Sequence, residues 1–116
     1  MPCLFRPPYL SKGDNLITIC KNKGFPIIEG LSSKDYLSGK NSGSAEDQVQ
    51  TIIDSARDWL IALNHDPQSG IPENILKAIP LMIDGLRAKG YYLLTVSEML
   101  AMKGGSLIPG EVYDGF

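Results

Sequence analysis

The sequence predicts an α/β fold in which short parallel strands alternate with helices. Apolar runs of strand length recur along the chain, amphipathic helical segments separate them, and polar clusters follow three of the runs. That alternation is typical of parallel βα units with right-handed crossovers. With 116 residues, 43% of them apolar, the chain is one small domain or part of a larger one.

The composition excludes several classes of function. The net charge is -2 and the basic residues are scattered, which argues against nucleic-acid binding. No apolar run approaches the roughly 18 residues of a membrane-spanning helix. Residues 1–6 lack the pattern of a signal peptide, so the sequence leaves localisation open.

The first predicted strand ends at Leu4 and Phe5, because Pro7 and Pro8 cannot continue a ladder. Arg6 and Tyr9 should therefore lie on a stiff turn at the carboxyl end of that strand. This turn is either a rigid solvent-facing loop or the wall of a site.

The second unit begins with a helix that Asp14 is expected to cap and that Gly24 should end in a left-handed conformation. Residues 25–28 then indicate a strand. Asp35 and Tyr36 belong to the polar run that follows this strand.

The third unit contains the chain's central strand. Ser44 and Asp47 have the spacing of a capping box at the start of a helix. Residues 59–63 form an apolar run without alternation, as expected of a parallel strand buried on both faces. It ends in the polar cluster Asn64-His65-Asp66. His65, the only histidine, is either an ordinary loop or structural imidazole or part of a site.

The fourth unit begins with a helix for which Pro72 suits the first position, and Pro80 is expected to kink or break it. Residues 91–96 have the clearest strand propensity, and Ser97 is expected to cap a short helix over 98–102. We place the domain at residues 1–103 and treat 104–116 as a C-terminal tail.

The two cysteines, Cys3 and Cys20, match no zinc motif, and no His/Cys metal site is indicated. One disulfide and two buried thiols remain equally open, and a carboxylate metal site stays open as well. The three polar clusters are all expected at the same rim, because carboxyl ends of parallel strands face one way.

The segments Phe5–Tyr9, Ser33–Tyr36 and Leu63–Asp66, in that order and spacing, resemble the last three motifs of the polysaccharide deacetylases, the NodB-homology group of carbohydrate esterase family 4. Residues 79–98 are similar to the family's ending. The resemblance covers nearly the whole chain but only the second half of the family's domain. It implies a partial (β/α) barrel, about four βα units of a distorted NodB-type barrel.

The resemblance also implies a chemistry. The family removes acetyl groups from N- or O-acetylated polysaccharides and oligosaccharides by hydrolysis assisted by a zinc-like divalent metal. By resemblance, His65 is the general acid, Asp35 holds and tunes its imidazole, and Arg6 orders the catalytic base. Tyr9 lies where the family uses a backbone amide to stabilise the developing oxyanion. Leu63 and Tyr36 line the pocket for the acetyl methyl group, and Tyr36 stands where the family usually has Trp.

The family's Asp-Asp pair and His-x-x-x-His motif, which supply the base and the metal ligands, do not occur in the sequence. We therefore expect no metal site in this chain and no activity of the chain alone. A half barrel would leave its inner face partly in water, at Ile61, Leu63, Leu93 and Val96. It should self-associate or need a companion N-terminal half, and Met1 directly before a strand suggests a fragment or a truncated reading frame.

Three hypotheses of function remain after this reasoning. The chain is an inactive deacetylase fragment, a non-catalytic carbohydrate-binding or regulatory remnant, or a small α/β domain unrelated to sugars. The sequence does not distinguish amide from ester deacetylation, nor one glycan from another.

Overall fold

The computed structural model describes residues 4–33, 44–66 and 74–116. Within them a 3₁₀ turn at Pro8–Leu10 is followed by helices and short strands in a mixed α/β order. These are α1 (Asp14–Lys23), β1 (Ile27–Ile28), β2 (Leu31–Ser32), α2 (Ala45–Asp54), β3 (Ala62–Leu63), α3 (Asn74–Ala88), α4 (Val96–Lys103) and β4 (Val112–Tyr113).

The strands form two pairs, and both are parallel as predicted. In one pair Ile27 lies opposite Val112, which joins β1 to β4. In the other, Leu31 lies opposite Ala62, which joins β2 to β3. Phe5 adds a parallel bridge to Ile27, so β1 has neighbours on both sides. The carboxyl ends of paired parallel strands lie at the same edge, which is where the polar segments leave the sheet.

Local capping follows the sequence at three helix ends. The Ser44 hydroxyl accepts from the Asp47 amide while the Asp47 carboxylate accepts from the Ser44 amide, a complete capping box for α2. Gly24 and Gly90 have φ of 83° and 90° and end α1 and α3. In α3 the Tyr91 amide donates to the Leu86 carbonyl, the longer bond of a Schellman motif.

Two predicted caps lie elsewhere. Gly13 is the N-cap of α1, and Asp14 is its first residue, where its carboxylate still suits the helix dipole. Thr95, not Ser97, caps α4, because its hydroxyl accepts from the Glu98 amide and closes a second capping box. A Thr followed three residues later by Glu is the better capping pair.

A kink or a break is expected at Pro80, and the break does not occur, because α3 continues through the proline from Asn74 to Ala88. Pro72 lies outside the described residues. Proline inside a helix costs about 3 kcal/mol. Burying Ile75 and Met82 against α2 offsets that cost, since each large apolar side chain contributes about 1.5–3 kcal/mol.

Two apolar clusters form the core. One joins α2 to α3, with Leu31 at its border, through Ala45, Ile52, Ile75, Ala78 and Met82. The second joins β1, the residue before β3 and α4 through Ile28, Ile61 and Met99, with Trp59, Val96, Tyr113 and Phe116 packed on it. Cys20 is a buried free thiol, and Cys3 lies outside the described residues.

The inner face was predicted to be partly exposed at four residues, and the prediction is correct for two of them. Leu93 is 44% exposed and Val96 is partly exposed, as predicted. Ile61 and Leu63 are each only 6% exposed, so the prediction was wrong for both. Ile61 is covered by the second cluster, whose outer residues include Leu107, Tyr113 and Phe116 of the C-terminal segment.

Residues 91–96, predicted as a strand from propensity, do not form one: residues 91–95 belong to no helix or strand, and Val96 begins α4. A strand needs backbone partners, and no described strand pairs with this segment. Propensity reports fit to a sheet surface and cannot supply the neighbouring strand.

The C-terminal segment, treated above as a tail, contributes β4 to the sheet. The amide of Ile27 donates to the Glu111 carbonyl, and the amide of Glu29 donates to the Tyr113 carbonyl. The Phe116 amide donates to the Trp59 carbonyl. Residues 111–116 therefore connect both parallel pairs. No helix among the described residues is long and apolar enough to cross a membrane.

Candidate functional site

The tips of β2 and β3 are joined by a short side-chain hydrogen bond. The Ser33 hydroxyl donates to the Asn64 side-chain oxygen at 2.7 Å, and the Ser33 amide donates to the Leu63 carbonyl at 3.3 Å. Because Ser33 is only 2% exposed, its hydroxyl forms its hydrogen bond with Asn64 and not with bulk water. The bond fixes the point from which the chain continues to His65.

The turn that follows the bridge between Phe5 and Ile27 is also held by hydrogen bonds. The Arg6 guanidinium donates to the Glu29 carbonyl at 2.8 Å and to the Ile28 carbonyl at 3.4 Å. These are the carbonyls at the end of β1. The Glu29 carboxylate pairs with Lys12, which adds a second link between this turn and the end of β1.

An open cavity of about 660 Å³ lies along this side of the molecule, and Arg6 and Asn64 both line it. Its walls are otherwise mainly apolar, from α2, α3, α4, residues 59–62 and residues 91–96. Residues from two separate loops therefore line one concave surface, as expected of a binding site.

The other candidates occupy different positions. Leu63 is buried in β3, and His65 is half-buried just beyond the strand. Tyr9 is fully exposed and has φ of 56°, a left-handed conformation that is uncommon for a non-glycine residue. Asp35 and Tyr36 lie outside the described residues, so their predicted roles remain predictions.

The described residues do not form a metal centre. Among the described residues no group of three or more His, Cys, Asp or Glu side chains could hold an ion. The single histidine of the sequence has no companion imidazole. This donor set falls short of the three protein ligands usual at a catalytic zinc.

Sequence reasoning missed the pairing of Ser33 with Asn64. Both positions were visible in the motifs, and a small hydroxyl residue at a strand end is a common hydrogen-bond donor. It also missed the packing of Trp59, whose ring lies 5.6 Å from the Lys103 ammonium. That contact links the start of the central strand region to the end of α4.

Comparison with known proteins agrees with this arrangement. Over 100 residues the chain is 38% identical to a bifunctional xylanase/deacetylase from Pseudobutyrivibrio xylanivorans, a match that covers 86% of the chain. It superposes with a TM-score of 0.83 over 98% of its length on a family 4 acetyl xylan esterase from Clostridium thermocellum, at 28% identity. The chain belongs to carbohydrate esterase family 4. Its mixed α/β fold is that of the family's NodB-like domain.

A second curated relative is a peptidoglycan-N-acetylglucosamine deacetylase from Bacillus cereus, 28% identical over 102 residues and 88% of the chain. No family model matches the chain. The matched region is 15% of the bifunctional protein, 47% of the peptidoglycan deacetylase and 53% of the solved esterase. The chain thus spans about half of a family 4 deacetylase domain. Membership in this family replaces the hypothesis of an α/β domain unrelated to sugars.

Proposed function

We propose that this chain supplies the C-terminal half of a polysaccharide deacetylase domain that hydrolyses acetyl groups on glycans. In this proposal the described elements are about four βα units of a distorted barrel. The observation that carries it is the Ser33–Asn64 hydrogen bond, which joins the carboxyl ends of two neighbouring parallel strands. Each of these ends leads directly into a family motif.

The proposed chemistry assigns His65 the proton that the leaving group needs. When the bond between the acetyl carbon and the sugar nitrogen or oxygen breaks, the imidazolium donates a proton to the departing atom. Water supplies the hydroxyl that completes the acetate. Asp35, two residues beyond Ser33 in the sequence, is proposed to hold the imidazole in orientation.

Arg6 and Tyr9 have supporting roles in this proposal. The Arg6 guanidinium, anchored to the end of β1, brings a fixed positive charge to the shared cavity and orders a carboxylate base supplied from outside this chain. The backbone amide at Tyr9 faces the developing oxyanion. Leu63 and Tyr36 form the apolar wall against the acetyl methyl group.

We propose that the other half of the domain supplies the metal site of the family. The solved esterase contains a cobalt ion, whereas no group of side chains among the described residues of this chain could hold one. The metal ligands and the base would lie on polypeptide beyond these 116 residues. Acetylated xylan and N-acetylated glycans are the proposed substrates, because the relatives are a xylanase/deacetylase, an acetyl xylan esterase and a peptidoglycan deacetylase.

Acetate release tests this function. The purified chain, supplied with Zn²⁺ or Co²⁺, should release no acetate from acetylxylan or chitooligosaccharides. The chain coexpressed with the part of the Clostridium thermocellum esterase that it does not match should release acetate. His65→Ala in that complex should lower the rate by about 100-fold or more. Acetate release by the chain alone, or a folded complex indifferent to His65→Ala, would contradict the proposal.

A second candidate is a non-catalytic carbohydrate-binding or regulatory remnant. Two rings favour it: Tyr9 is 101% exposed and Tyr92 is 92% exposed, and exposed aromatic rings stack on sugars. Titration with xylo- and chitooligosaccharides would move the amide resonances near these tyrosines. Tyr9→Ala, Tyr36→Ala and Tyr92→Ala would identify the contributing ring, and an unchanged spectrum would end this candidate.

A further inference from the structure

Tyr9 and Leu10 form a turn in which two consecutive non-glycine residues have a left-handed backbone. Their φ angles are 56° and 51°. The Cβ atom disfavours this region, so two such residues in succession need support from their surroundings. The Leu10 amide donates to the carbonyl of Pro7, and the next amide donates to the carbonyl of Pro8, each at 3.1 Å. These bonds lie within the turn, so they do not fix its position against the sheet.

Lys12 connects this turn to the end of β1. Its ammonium donates to the Leu10 carbonyl at 3.3 Å and forms an ion pair with the Glu29 carboxylate. The Lys12 and Glu29 side chains are 28% and 22% exposed. A second ion pair among the described residues, between Arg57 and Asp114, has side chains that are 52% and 61% exposed. Because solvent screens the Lys12–Glu29 pair less, that pair holds its two side chains together more strongly.

Glu29 is itself held in place by its backbone. Its amide donates to the Tyr113 carbonyl at 2.7 Å, and its carbonyl accepts from the Arg6 guanidinium at 2.8 Å. The Glu29 carboxylate therefore projects from a fixed backbone and gives the Lys12 ammonium a stable partner. The chain from Arg6 to Lys12 is attached to Glu29 at both ends, and the two left-handed residues lie between the attachments.

We propose that Lys12 and Glu29 are positioning residues for the proposed deacetylation: their ion pair keeps the turn left-handed and so orients the Tyr9 amide. The inference rests on the proposed function, in which this amide faces the developing oxyanion, and deepens it by naming the side chains that orient the amide. Both residues act through the turn and not by contact with the substrate. A hydrogen-bond donor stabilises an oxyanion most when it is fixed in place before the charge forms. A turn that relaxed to negative φ would lose that alignment.

Nuclear magnetic resonance on the 116-residue chain tests the conformation of the turn. Lys12→Met keeps a long side chain without the ammonium, and Glu29→Gln removes the carboxylate charge. In the native chain the Cα chemical shifts and a strong intraresidue NOE between amide and Hα protons should report left-handed backbone at Tyr9 and Leu10. Both signals should change toward those of negative φ in either variant. The change should be larger in Lys12→Met, which also loses the bond to the Leu10 carbonyl.

Lys77→Ala is the matched control for these spectra, because Lys77 is an exposed lysine of α3. It should leave the signals of Tyr9 and Leu10 unchanged. If the chain does not fold alone, the same spectra are recorded on the isotope-labelled chain in complex with the unmatched part of the Clostridium thermocellum esterase.

Leu10→Gly provides a second test, in the same complex. Glycine has no Cβ atom and adopts a left-handed backbone readily, so the turn of this variant needs the ion pair less. In the native background, Lys12→Met should lower kcat for acetate release by about tenfold. KM should change by less than about twofold, because the oxyanion forms only during the reaction. In the Leu10→Gly background, Lys12→Met should lower kcat by less than about threefold.

Three results would overturn the proposal. Turn signals that are unchanged in Lys12→Met and Glu29→Gln would show that the turn does not need the ion pair. An equal loss of kcat from Lys12→Met with and without Leu10→Gly would show that the lysine acts by another route. A lower Tm of Lys12→Met with kcat unchanged would leave the pair a structural role only.

Failure of the proposed function gives a different result. If the native complex releases no acetate, the deacetylase function is rejected, whereas the spectra of the turn still decide whether Lys12 and Glu29 hold it. Acetate release by the native complex, with turn signals and kcat that are indifferent to Lys12→Met, rejects the positioning role alone.

Discussion

The Ser33 hydroxyl donates a 2.7 Å hydrogen bond to the side chain of Asn64, across the ends of two parallel strands. The two residues are 31 positions apart in the sequence, so the bond is a tertiary contact. It joins the segment that contains the second motif to the segment that contains the third. Because His65 follows Asn64 directly, we expect Ser33 to act as a positioning residue for His65.

Replacing Ser33 by alanine removes this bond and leaves the Asn64 oxygen without its donor. We expect a loss of about 1–3 kcal/mol in the free energy of unfolding, the usual cost of orphaning a largely buried polar group. Urea denaturation measures it, and a shift of the His65 ring resonances would report the altered position. Ser106→Ala, at an exposed serine, should change stability by less than about 0.5 kcal/mol. Equal stability of the two variants would remove the positioning role.

Arg6 holds the first turn through two backbone carbonyls at the end of β1. Arg6→Ala should lower stability by about 1 kcal/mol, because the guanidinium is exposed and its bonds compete with water. Arg6→Lys keeps the charge but not the planar fork, so its effect should approach that of alanine. Thermal unfolding compares the variants, with exposed Arg87→Ala as the control. A lysine variant as stable as the native chain would mean that charge alone suffices.

Removal of residues 112–116 should destabilise the whole molecule. It deletes β4 and the Phe116 ring, which covers the second apolar cluster with Tyr113. We expect a loss of more than about 3 kcal/mol, seen by circular dichroism as a large fall in Tm. Phe116→Ala, at a half-buried ring, should cost about 1–3 kcal/mol. Exposed Met102→Ala should have little effect, and an unchanged Tm of the truncated chain would show that β4 is dispensable.

Glu98 should make stability depend on pH in the acid range. Hydrogen bonds from the amide and hydroxyl of Thr95 lower the pKa of Glu98 from its ordinary value of 4.5. Because the folded pKa is the lower one, this carboxylate stabilises the native state above pH 4.5, and the contribution is lost as pH falls through the folded pKa.

The difference in stability between the native chain and Glu98→Ala should therefore be present near neutral pH and shrink in acid. Urea denaturation across the range measures it, with Glu111→Ala as a control for an exposed carboxylate. Thr95→Ala should cost about 1 kcal/mol near neutral pH, because α4 loses its cap. A difference between Glu98→Ala and the native chain that stays constant into strong acid would contradict the assigned cause.

Much of the fold could be predicted because its signals are local. The capping box at Ser44 and the glycine at Gly24 are short-range patterns, and both lie where expected. The predictions that differ from the structure depend on contacts between residues far apart in the sequence. At Pro80, where a kink or a break was expected, α3 does not break, and α2 packs against this helix. Residues 91–96 were predicted as a strand, but no described strand pairs with them. Neither neighbour can be read from the local sequence.

In the candidate site, too, some features follow from the sequence and others are determined only by the fold. The motifs named Arg6 and the segment around His65 from residue type and order alone. The carbonyls that Arg6 contacts and the partner of Ser33 come from other elements, so only folding assigns them. The proposed role of Asp35 remains a prediction, because that residue lies outside the described part of the chain.

By itself, the amino-acid order determined the class of fold, the family and two helix ends, the start of α2 at Ser44 and the end of α1 at Gly24, because each depends on neighbouring residues. The tertiary structure decided that the last residues complete the sheet through Val112 and Tyr113. It also decided that residues 91–95, predicted as part of a strand, pair with no described strand. Strand pairing joins residues far apart in the chain, and hydrogen bonds of that kind leave no local pattern from which they can be predicted.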